Sequence, residues 1–220
     1  MSTVVITGAN RGIGLEFCRQ LHARGDSVIA VCRQASSGLE ELGVRLESGI
    51  EVTDDATIHT LAEHLEGERV DLLINNAGIL EADDLDSLDF ESARRQIDVN
   101  ALGALRVTRA LLPHMGKGAK VAVITSLMGS MGDNTSGRMY GYRMSKAALN
   151  SAAVSLARDL EPRGIAVGIL HPGFVRTEMT GGRGNLEVTE TVVELLARLD
   201  ELTIEASGQL HDRMGKDLPW

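Results

Sequence analysis

The chain has 220 residues, of which 43% are hydrophobic and 24% are charged, and these values fit one soluble globular domain. A formal net charge of −9, with no basic stripe, argues against a nucleic-acid partner. No apolar run is long enough to cross a membrane, and the N-terminus lacks the pattern of a signal peptide. The two cysteines are expected to be buried free thiols in a cytoplasmic protein, and the scattered histidines predict no metal site.

Strand-like and helix-like stretches alternate along the chain without a repeat or a linker. In chain order the predicted elements are strand 3–8, helix 12–25, strand 27–33, extended segment 44–52, helix 54–67, strand 70–78, helix 90–116, strand 119–126, helix 142–161, strand 165–173 and a helix followed by a strand within 188–210. This alternation predicts an α/β fold, in which a doubly wound, Rossmann-like parallel sheet is flanked by helices on both faces. We expect residues 1–220 to form a single dinucleotide-binding domain, with its ligands at the carboxyl ends of the strands.

The sequence TGANRGIG at 7–14 joins the first predicted strand to the first predicted helix. Gly8, Gly12 and Gly14 remove side chains where the backbone turns tightly and where a pyrophosphate would approach. The spacing is GxxxGxG rather than the common GxGxxG, so the usual fingerprint is not strictly matched. The position between the first strand and the first helix nevertheless predicts a phosphate-binding turn.

The residues near the ribose favour NADP(H) over NAD(H), which stays possible. NAD-binding proteins usually place an acid at the end of the second strand, whereas this chain has Cys32 and Arg33 there. Asp26 lies at the opposite end of that strand, and Arg11 adds a second guanidinium within the glycine turn. Two guanidiniums would pair with a 2′-phosphate. The alternative is that either arginine is a solvated loop charge.

Both tyrosines of the chain lie in YGYRMSKAALN, at 140–150. Tyr142 has Lys146 four residues later, on the same face of the predicted helix, whereas Tyr140 has Met144 there. A nearby ammonium favours the phenolate and would lower the pKa of Tyr142, which suits that phenol to acid–base chemistry. Taken alone, a tyrosine and a lysine at this spacing more often form a core tyrosine beside a surface lysine.

The motifs TGANRGIG, NNAG, ITS, YRMSK and HPGFVRT occur here in the order found in the short-chain dehydrogenase/reductase family. The chain resembles that family over essentially its whole length, and NTSGRMYGYRMSKAALN and GKDLPW resemble its C-factor/sniffer-like carbonyl reductases. The resemblance implies that Tyr142 is the acid/base and that Lys146 holds the nicotinamide ribose and lowers the pKa of Tyr142. It further implies that Ser126 binds the substrate oxygen and that Asn100 holds a proton-relaying water.

The resemblance also implies a larger set of cofactor-binding residues, most of them in turns after strands. They are Gly8, Asn10, Arg11, Gly12, Ile13, Gly14, Arg33, Glu51, Val52, Asn76, Ala77, Gly78, Tyr142, Lys146, Pro172, Gly173, Val175 and Thr177. Glu51 departs from the aspartate that the family usually places before the valine that meets adenine. Bland alternatives remain for several residues: Ser126 as a strand end, Asn100 as a helix-interior polar residue, NNAG as purely structural and Thr177 as a cap.

The segment between Ser126 and Tyr142 is longer than is common in the family, and we expect it to form a methionine-containing loop over the pocket. The region after Thr177 is short, which predicts an open pocket. The sequence therefore predicts an enzyme, an NADPH-dependent reductase of aldehydes or ketones, acting on a small molecule and forming a homodimer or homotetramer through helices 90–116 and 142–161. Two alternatives remain: a nucleotide-binding signalling protein, and an alcohol dehydrogenase working in the oxidative direction.

Overall fold

The computed structural model describes residues 1–220 and contains one seven-stranded sheet in which every pair of neighbouring strands is parallel. The strands are β1 (Thr3–Thr7), β2 (Ser27–Cys32), β3 (Arg45–Ser48), β4 (Leu72–Asn75), β5 (Lys120–Ile124), β6 (Ala166–His171) and β7 (Leu210–Asp212). Their order across the sheet is β3-β2-β1-β4-β5-β6-β7. The chain therefore starts in the middle of the sheet and winds outward in both directions. The predicted fold class is confirmed.

Helices cover both faces of this sheet. They are α1 (Gly12–Ala23), α2 (Ser37–Glu40), α3 (Asp55–His64), α4 (Phe90–Ile97), α5 (Gly103–Leu111), α6 (Tyr140–Leu160) and α7 (Val188–Glu201). Buried residues of α3, α5 and α6 belong to one hydrophobic cluster, and those of α1, α2 and α7 belong to a second. No helix combines the length and the apolar character that a membrane crossing requires.

Strand β1 shows why the sheet needs two helical layers. Val5 points into the cluster that contains α3, α5 and α6, whereas Val4 and Ile6 point into the cluster that contains α1 and α7. Successive side chains of a strand alternate between the two faces, so an all-apolar strand must be covered on both. Cys18 and Cys32 are buried free thiols in the second cluster, as predicted.

The long helix predicted over 90–116 is present as a helical stretch without a break from Phe90 to His114, but it is not α-helical throughout. The structure divides this stretch into α4, a π-helical turn at Asp98–Leu102, α5 and a 3-10 turn at Leu112–His114. The π turn carries Asn100, whose side-chain amide bonds outside its own helix. Single π turns inside α-helices often accompany functional sites, and a hydrophobic pattern does not reveal one extra residue in a turn. Pro113 ends the stretch because it cannot donate a backbone hydrogen bond.

Other boundaries moved by a few residues. Strand β3 is shorter than the extended segment 44–52, because Gly49 adopts a left-handed conformation with φ of 80° directly after it. Helix α6 begins at Tyr140 rather than at residue 142, so Tyr142 lies within its first turn. The residue before the helix, Met139, is itself left-handed, with φ of 58° and ψ of 40°.

We predict that Gly141→Ala destabilises the protein, although alanine normally favours helix over glycine. A Cβ atom at position 141 would lie 2.6 Å from Nε2 of the buried Gln96 and 3.0 Å from Cα of Ala93. The overpacking should lower the free energy of unfolding, measured by urea denaturation, by about 1–3 kcal/mol. Gly116→Ala is the control, because a Cβ there would meet nothing within 4 Å. Equal stability of the two variants would show that α4 can move away from α6.

Candidate active site

A cavity of about 350 Å³ lies where β1, β2 and β4 end, beside the turn that follows Thr177. Of the predicted cofactor-binding residues, its lining includes Gly8, Asn10, Arg11, Gly12, Ile13, Arg33, Glu51, Val52, Asn76, Ala77, Gly78 and Thr177. Residues that the sequence did not single out complete the wall: Val31, Cys32, Gln34, Ile50, Ile79, Val99, Glu178 and Met179. Most of these are chain neighbours of predicted residues, a signal that could have found them. Val99 carries the same signal, because it directly precedes Asn100.

The glycine turn forms a cradle that leaves no room for side chains. A Cβ on Gly14 would lie 2.2 Å from the carbonyl oxygen of Gly8, and one on Gly8 would lie 2.8 Å from Cα of Ala77. Gly8 has a φ of 65°, which glycine adopts without strain. Helix α1 begins directly after Arg11, with neither a side-chain cap nor an acid in its first turn. Its first N–H groups and the positive end of its dipole therefore fit a pyrophosphate.

Asn76 holds this turn in place from the neighbouring strand. Its Nδ2 donates to the carbonyl oxygens of Thr7 and Gly8 at 3.0 and 3.1 Å, and its backbone N–H donates to Oγ1 of Thr7 at 3.1 Å. Asn75 donates from Nδ2 to Oγ1 of Thr108 on α5. The NNAG motif thus has the structural role that we left open, while Asn76, Ala77 and Gly78 also line the cavity.

Both arginines predicted to favour a 2′-phosphate lie at the cavity, each paired with a carboxylate. Nη1 of Arg11 lies 2.8 Å from Glu178, and Nη1 of Arg33 lies 3.3 Å from Glu51. The arginine side chains are more than half exposed, so these ion pairs contribute little to stability and can exchange for a phosphate. Glu51, which the resemblance assigned to adenine, contacts Arg33 instead.

Tyr142 and Lys146 are both buried in α6, beside Ser126 at the end of β5. Burial raises the pKa of Tyr142 to about 12, although the neighbouring Ser126 hydroxyl acts in the opposite direction. Nζ of Lys146 donates to the carbonyl oxygen of Ile124 at 2.8 Å and lies 5.8 Å from the centre of the Tyr142 ring. Burial lowers the pKa of Lys146 to about 8. Loss of hydration thus raises the pKa of Tyr142, where the sequence predicted a lowering by Lys146.

Asn100 connects the loop after β4 to the helix that carries Tyr142. Its Oδ1 accepts from the N–H of Ile79 at 2.8 Å, and its Nδ2 donates to the Ile79 carbonyl at 2.9 Å and to Oγ of Ser145 at 2.8 Å. Ser145 in turn donates to the carbonyl oxygen of Tyr142 at 2.7 Å. The side chain of Asn100 thus bonds to neighbouring elements rather than to its own backbone, and sequence reasoning missed Ser145. The role of Asn100 in proton relay stays a prediction.

Residues after β6 take structural positions around the site. Thr177 begins a short 3-10 turn and forms a capping box with Thr180, as one alternative expected, and its side chain also faces Gly12 across the cavity. A Cβ on Gly173, which has a φ of 86°, would lie 2.4 Å from the Leu186 side chain. Pro172, Gly173 and Val175 are not part of the cavity wall, so their cofactor contacts stay predictions.

The long segment between Ser126 and α6 opens as a 3-10 turn, Leu127–Gly129, packed tightly on α6. A Cβ on Gly129 would lie 2.7 Å from the backbone carbonyl carbon of Lys146. Arg143 ties the segment down by donating to the carbonyl oxygens of Met128 and Arg138 and to Oγ of Ser136. The segment is therefore held against the catalytic helix along much of its length.

His171, at the end of β6, contacts the backbone directly after Ser126. Its Nδ1 accepts from the backbone N–H of Leu127 at 3.2 Å, which requires an unprotonated Nδ1. Burial lowers the pKa of His171 to about 4, although Asp133 and Asp212 lie near enough to oppose the shift. Sequence reasoning missed this contact between His171 and the loop after β5. No group of three or more His, Cys, Asp or Glu side chains could hold a metal ion.

The fold and this site define a class of protein, a doubly wound α/β protein with a glycine turn after its first strand and a buried tyrosine and lysine beside a serine. A model of the family described as short chain dehydrogenase matches residues 2–187. The chain belongs to the short-chain dehydrogenase/reductase family.

Two relatives illustrate the range of the family around this chain. The 1-hydroxy-2-glutathionyl-2-methyl-3-butene dehydrogenase of Rhodococcus sp. (strain AD45) is 40% identical over 226 residues, which cover all of both chains. C-signal of Myxococcus xanthus is 46% identical over 154 residues, which cover 69% of this chain and 93% of that protein.

Two solved structures share the fold of this chain over its full length. Carbonyl reductase Sniffer of D. melanogaster is 28% identical, with a TM-score of 0.94 over all of both chains. The NADPH bound carbonyl reductase from chicken fatty liver is 32% identical, with a TM-score of 0.92 over 100% of this chain and 99% of that one. The predicted similarity to C-factor/sniffer-like carbonyl reductases is confirmed.

We predict that His171→Asn makes the stability of the protein less dependent on pH. Because the folded-state pKa lies below the ordinary value of 6.5, only the unfolded state holds the extra proton between those two values. The stabilisation is complete above pH 6.5 and is lost as the pH falls toward 4. Between pH 7 and pH 5 the wild type should lose about 1–2 kcal/mol more unfolding free energy than the variant.

Urea denaturation at the two pH values measures this difference. His59→Asn is the control, because that histidine is exposed on α3. If the wild type and His171→Asn show the same pH dependence, His171 does not stay neutral in the folded protein.

Proposed function

We propose that this protein is an NADP(H)-dependent oxidoreductase that reduces the carbonyl group of aldehydes or ketones. The observation that carries the proposal is the burial of Tyr142 and Lys146 next to Ser126, with Nζ of Lys146 3.8 Å from where a Cβ on the cavity residue Gly78 would lie. A protein that only binds a nucleotide gains nothing from burying a phenol and an amine together, because their desolvation costs free energy. Acid–base chemistry at the end of the nucleotide explains that cost.

NADP(H) is the favoured cofactor. Arg11 and Arg33 line the cavity, and each is paired with a carboxylate of the cavity wall, Arg11 with Glu178 and Arg33 with Glu51. A bound 2′-phosphate would exchange for these carboxylates and receive planar donor pairs from the guanidiniums. The carbonyl reductase from chicken fatty liver, which shares the fold over the full length, is described as NADPH bound. NAD(H) has no 2′-phosphate with which the two arginines could pair.

Ser126 and Tyr142 would bind the substrate's carbonyl oxygen, and Tyr142 would supply the proton. The nicotinamide, when bound, supplies a hydride to the carbonyl carbon. Ser126 and Tyr142 would hydrogen-bond the carbonyl oxygen, which gains negative charge as the hydride arrives. The phenol of Tyr142 then donates its proton to that oxygen, so the product is an alcohol. A raised pKa keeps this phenol protonated at neutral pH, and an alkoxide is still far more basic than the phenolate.

Lys146 and Asn100 would restore the proton and orient the reacting groups. Lys146 has a lowered pKa of about 8, which allows its ammonium to give up a proton near neutral pH. It would also hold the ribose hydroxyls beside the phenol. Asn100 fixes Ile79, at the nicotinamide side of the cavity, relative to Ser145 of the catalytic helix. These hydrogen bonds connect the cavity wall at Ile79 to the helix that carries Tyr142.

Two other functions have specific support. The Rhodococcus relative is named as a dehydrogenase of a hydroxy compound, which favours alcohol oxidation as the physiological direction. The resemblance to C-signal keeps a signalling role on the same fold open. Turnover of alcohols with NADP⁺ but not of carbonyls with NADPH would favour the first. Nucleotide binding without turnover of any carbonyl or alcohol in a broad panel would favour the second.

We also infer that the protein acts in the cytoplasm as a homodimer or homotetramer through α4, α5 and α6. The free buried thiols support the reducing compartment. Phe90, Leu102 and Met144, on or beside these helices, are large apolar residues exposed on the single chain. A second copy that covered them would remove that apolar surface from water.

The central prediction concerns Tyr142→Phe. The change keeps the ring and removes the proton donor, so kcat for NADPH-dependent reduction of an aldehyde should fall about 10²-fold or more. NADPH affinity, measured by fluorescence titration, should not change. Tyr140→Phe is the matched control, since Tyr140 is partly exposed and has no lysine four residues later. A fully active Tyr142→Phe variant would remove Tyr142 from the mechanism.

A further prediction concerns cofactor choice. Arg33→Ala should weaken NADPH binding about tenfold or more, because a charge-assisted pair with the 2′-phosphate is lost. NADH, which lacks that phosphate, should bind as it does to the wild type. The readout is equilibrium binding by fluorescence, with Arg94→Ala, an exposed arginine of α4 paired with Glu91, as the control. Equal weakening for both nucleotides would contradict the assigned role of Arg33.

A further inference from the structure

The start of the catalytic helix is the most strained backbone in the chain. Gly137, Arg138 and Met139 adopt left-handed conformations in succession, with φ of 63°, 57° and 58°. Arg138 and Met139 are the two non-glycine residues of the protein with positive φ. Each such residue costs about 1–2 kcal/mol relative to ordinary helical backbone. Such strain persists only where surrounding contacts hold the backbone in place.

The contacts that hold this turn come from Asp83, more than 50 residues earlier in the chain. Its Oδ1 accepts from the N–H of Tyr140 at 2.5 Å and its Oδ2 from the N–H of Gly141 at 3.0 Å. Its backbone carbonyl accepts from the N–H of Met139 at 2.9 Å. Met139 has no side-chain oxygen and cannot cap α6 itself. A carboxylate from another part of the chain therefore does the work of the N-cap.

Asp83 belongs to a short segment, residues 79–83, that is anchored at each step. Ile79, which lines the cavity, is bonded through both backbone groups to Asn100. Glu81 is bonded through its N–H to Gln96 at 3.0 Å. Asp83 then completes the path from the wall of the cavity to the first turn of α6. Tyr142 lies in that turn, directly after the two residues whose N–H groups Asp83 accepts.

We propose that Asp83 is a positioning residue for the proposed carbonyl reduction, since its carboxylate fixes the first turn of α6 and thereby places the phenol of Tyr142. The proposal rests on the function proposed above and adds a residue to it. Asp83 is almost fully buried, and its carboxylate receives two backbone N–H groups at the positive end of a 21-residue helix. Gly141 packs closely against Ala93 and Gln96, so a small shift of the turn would already disturb its contact with α4. Loss of the carboxylate would release it.

Asp83→Asn tests the proposal, because it keeps the shape but leaves one N–H group of the turn facing an amide donor. We expect kcat to fall about 10- to 100-fold, as for a misplaced catalytic group, with NADPH affinity unchanged. The primary isotope effect on kcat with NADPH deuterated at the transferred position should rise, because chemistry becomes slower relative to other steps. Loss of folded protein alone would lower the apparent rate without changing that isotope effect.

Asp89→Ala is the matched control, since Asp89 caps α4 by accepting from the N–H of Glu91 at 2.9 Å and alanine removes that acceptor. It should reduce stability in a similar way and leave kcat and the isotope effect as in the wild type. If Asp83→Asn does not fold, Asp83→Ser, which keeps one oxygen acceptor, is measured in the same way. Equal effects of the Asp83 and Asp89 variants on kcat, or an unchanged isotope effect in the Asp83 variant, would overturn the proposal.

Amide hydrogen exchange of residues 138–146 separates this proposal from the proposed function. Asp83→Asn should speed exchange there, whereas Asp89→Ala should speed exchange at the start of α4 only. A wild type that turns over no carbonyl or alcohol with NADP(H) refutes the proposed function, and the exchange result then decides whether Asp83 holds the turn of Tyr142. Unchanged exchange at 138–146 in the Asp83 variant overturns the placement.

Discussion

The burial of the first turns of α6 is the constraint on which the reacting end depends. Tyr142 and Lys146 lose their water there, which raises the pKa of the phenol and lowers that of the amine. The same burial brings Gly129 and Gly141 against neighbouring backbone with no room for a side chain. The helix cannot shift without disturbing the loop after β5 or helix α4. The two titrating groups are therefore tuned and fixed by one packing arrangement.

The cofactor end follows a different principle, because it is built from backbone rather than from side chains. The glycine turn and the uncapped start of α1 present N–H groups, and Asn76 holds the turn from the next strand. Loss of a hydrogen-bonding amide at position 76 would leave the Thr7 and Gly8 carbonyls without that donor. The guanidiniums proposed to bind a 2′-phosphate, those of Arg11 and Arg33, are more than half exposed and paired with carboxylates.

Hydrogen bonds of three polar residues connect the cavity wall and the loop after β5 to the neighbouring elements. Asn100 bonds to the backbone of Ile79, and His171 bonds to the backbone of Leu127. Ser145 bonds to the backbone carbonyl of Tyr142 on α6. The π turn at Asp98–Leu102 carries Asn100 to the Ile79 segment, and this explains why a helix with a regular apolar pattern is not α-helical there. Local sequence patterns do not reveal most of these contacts, because their partners are separated by 21 to 45 residues. The exception is the bond between Ser145 and Tyr142, which lie in the same helix.

The sequence by itself determined the alternation of strands and helices, the glycine turn and the spacing of Tyr142 from Lys146. Each of these is a local property, because periodicity and turn chemistry act within a few residues. Tertiary structure alone decided the π turn within the predicted helix 90–116, the capping of α6 by Asp83 and the direction of the Tyr142 pKa. These depend on which distant groups come together and how much water they exclude. The spacing of Tyr142 and Lys146 is visible in the sequence, but the cost of burying the phenolate, which raises the pKa of Tyr142, is not.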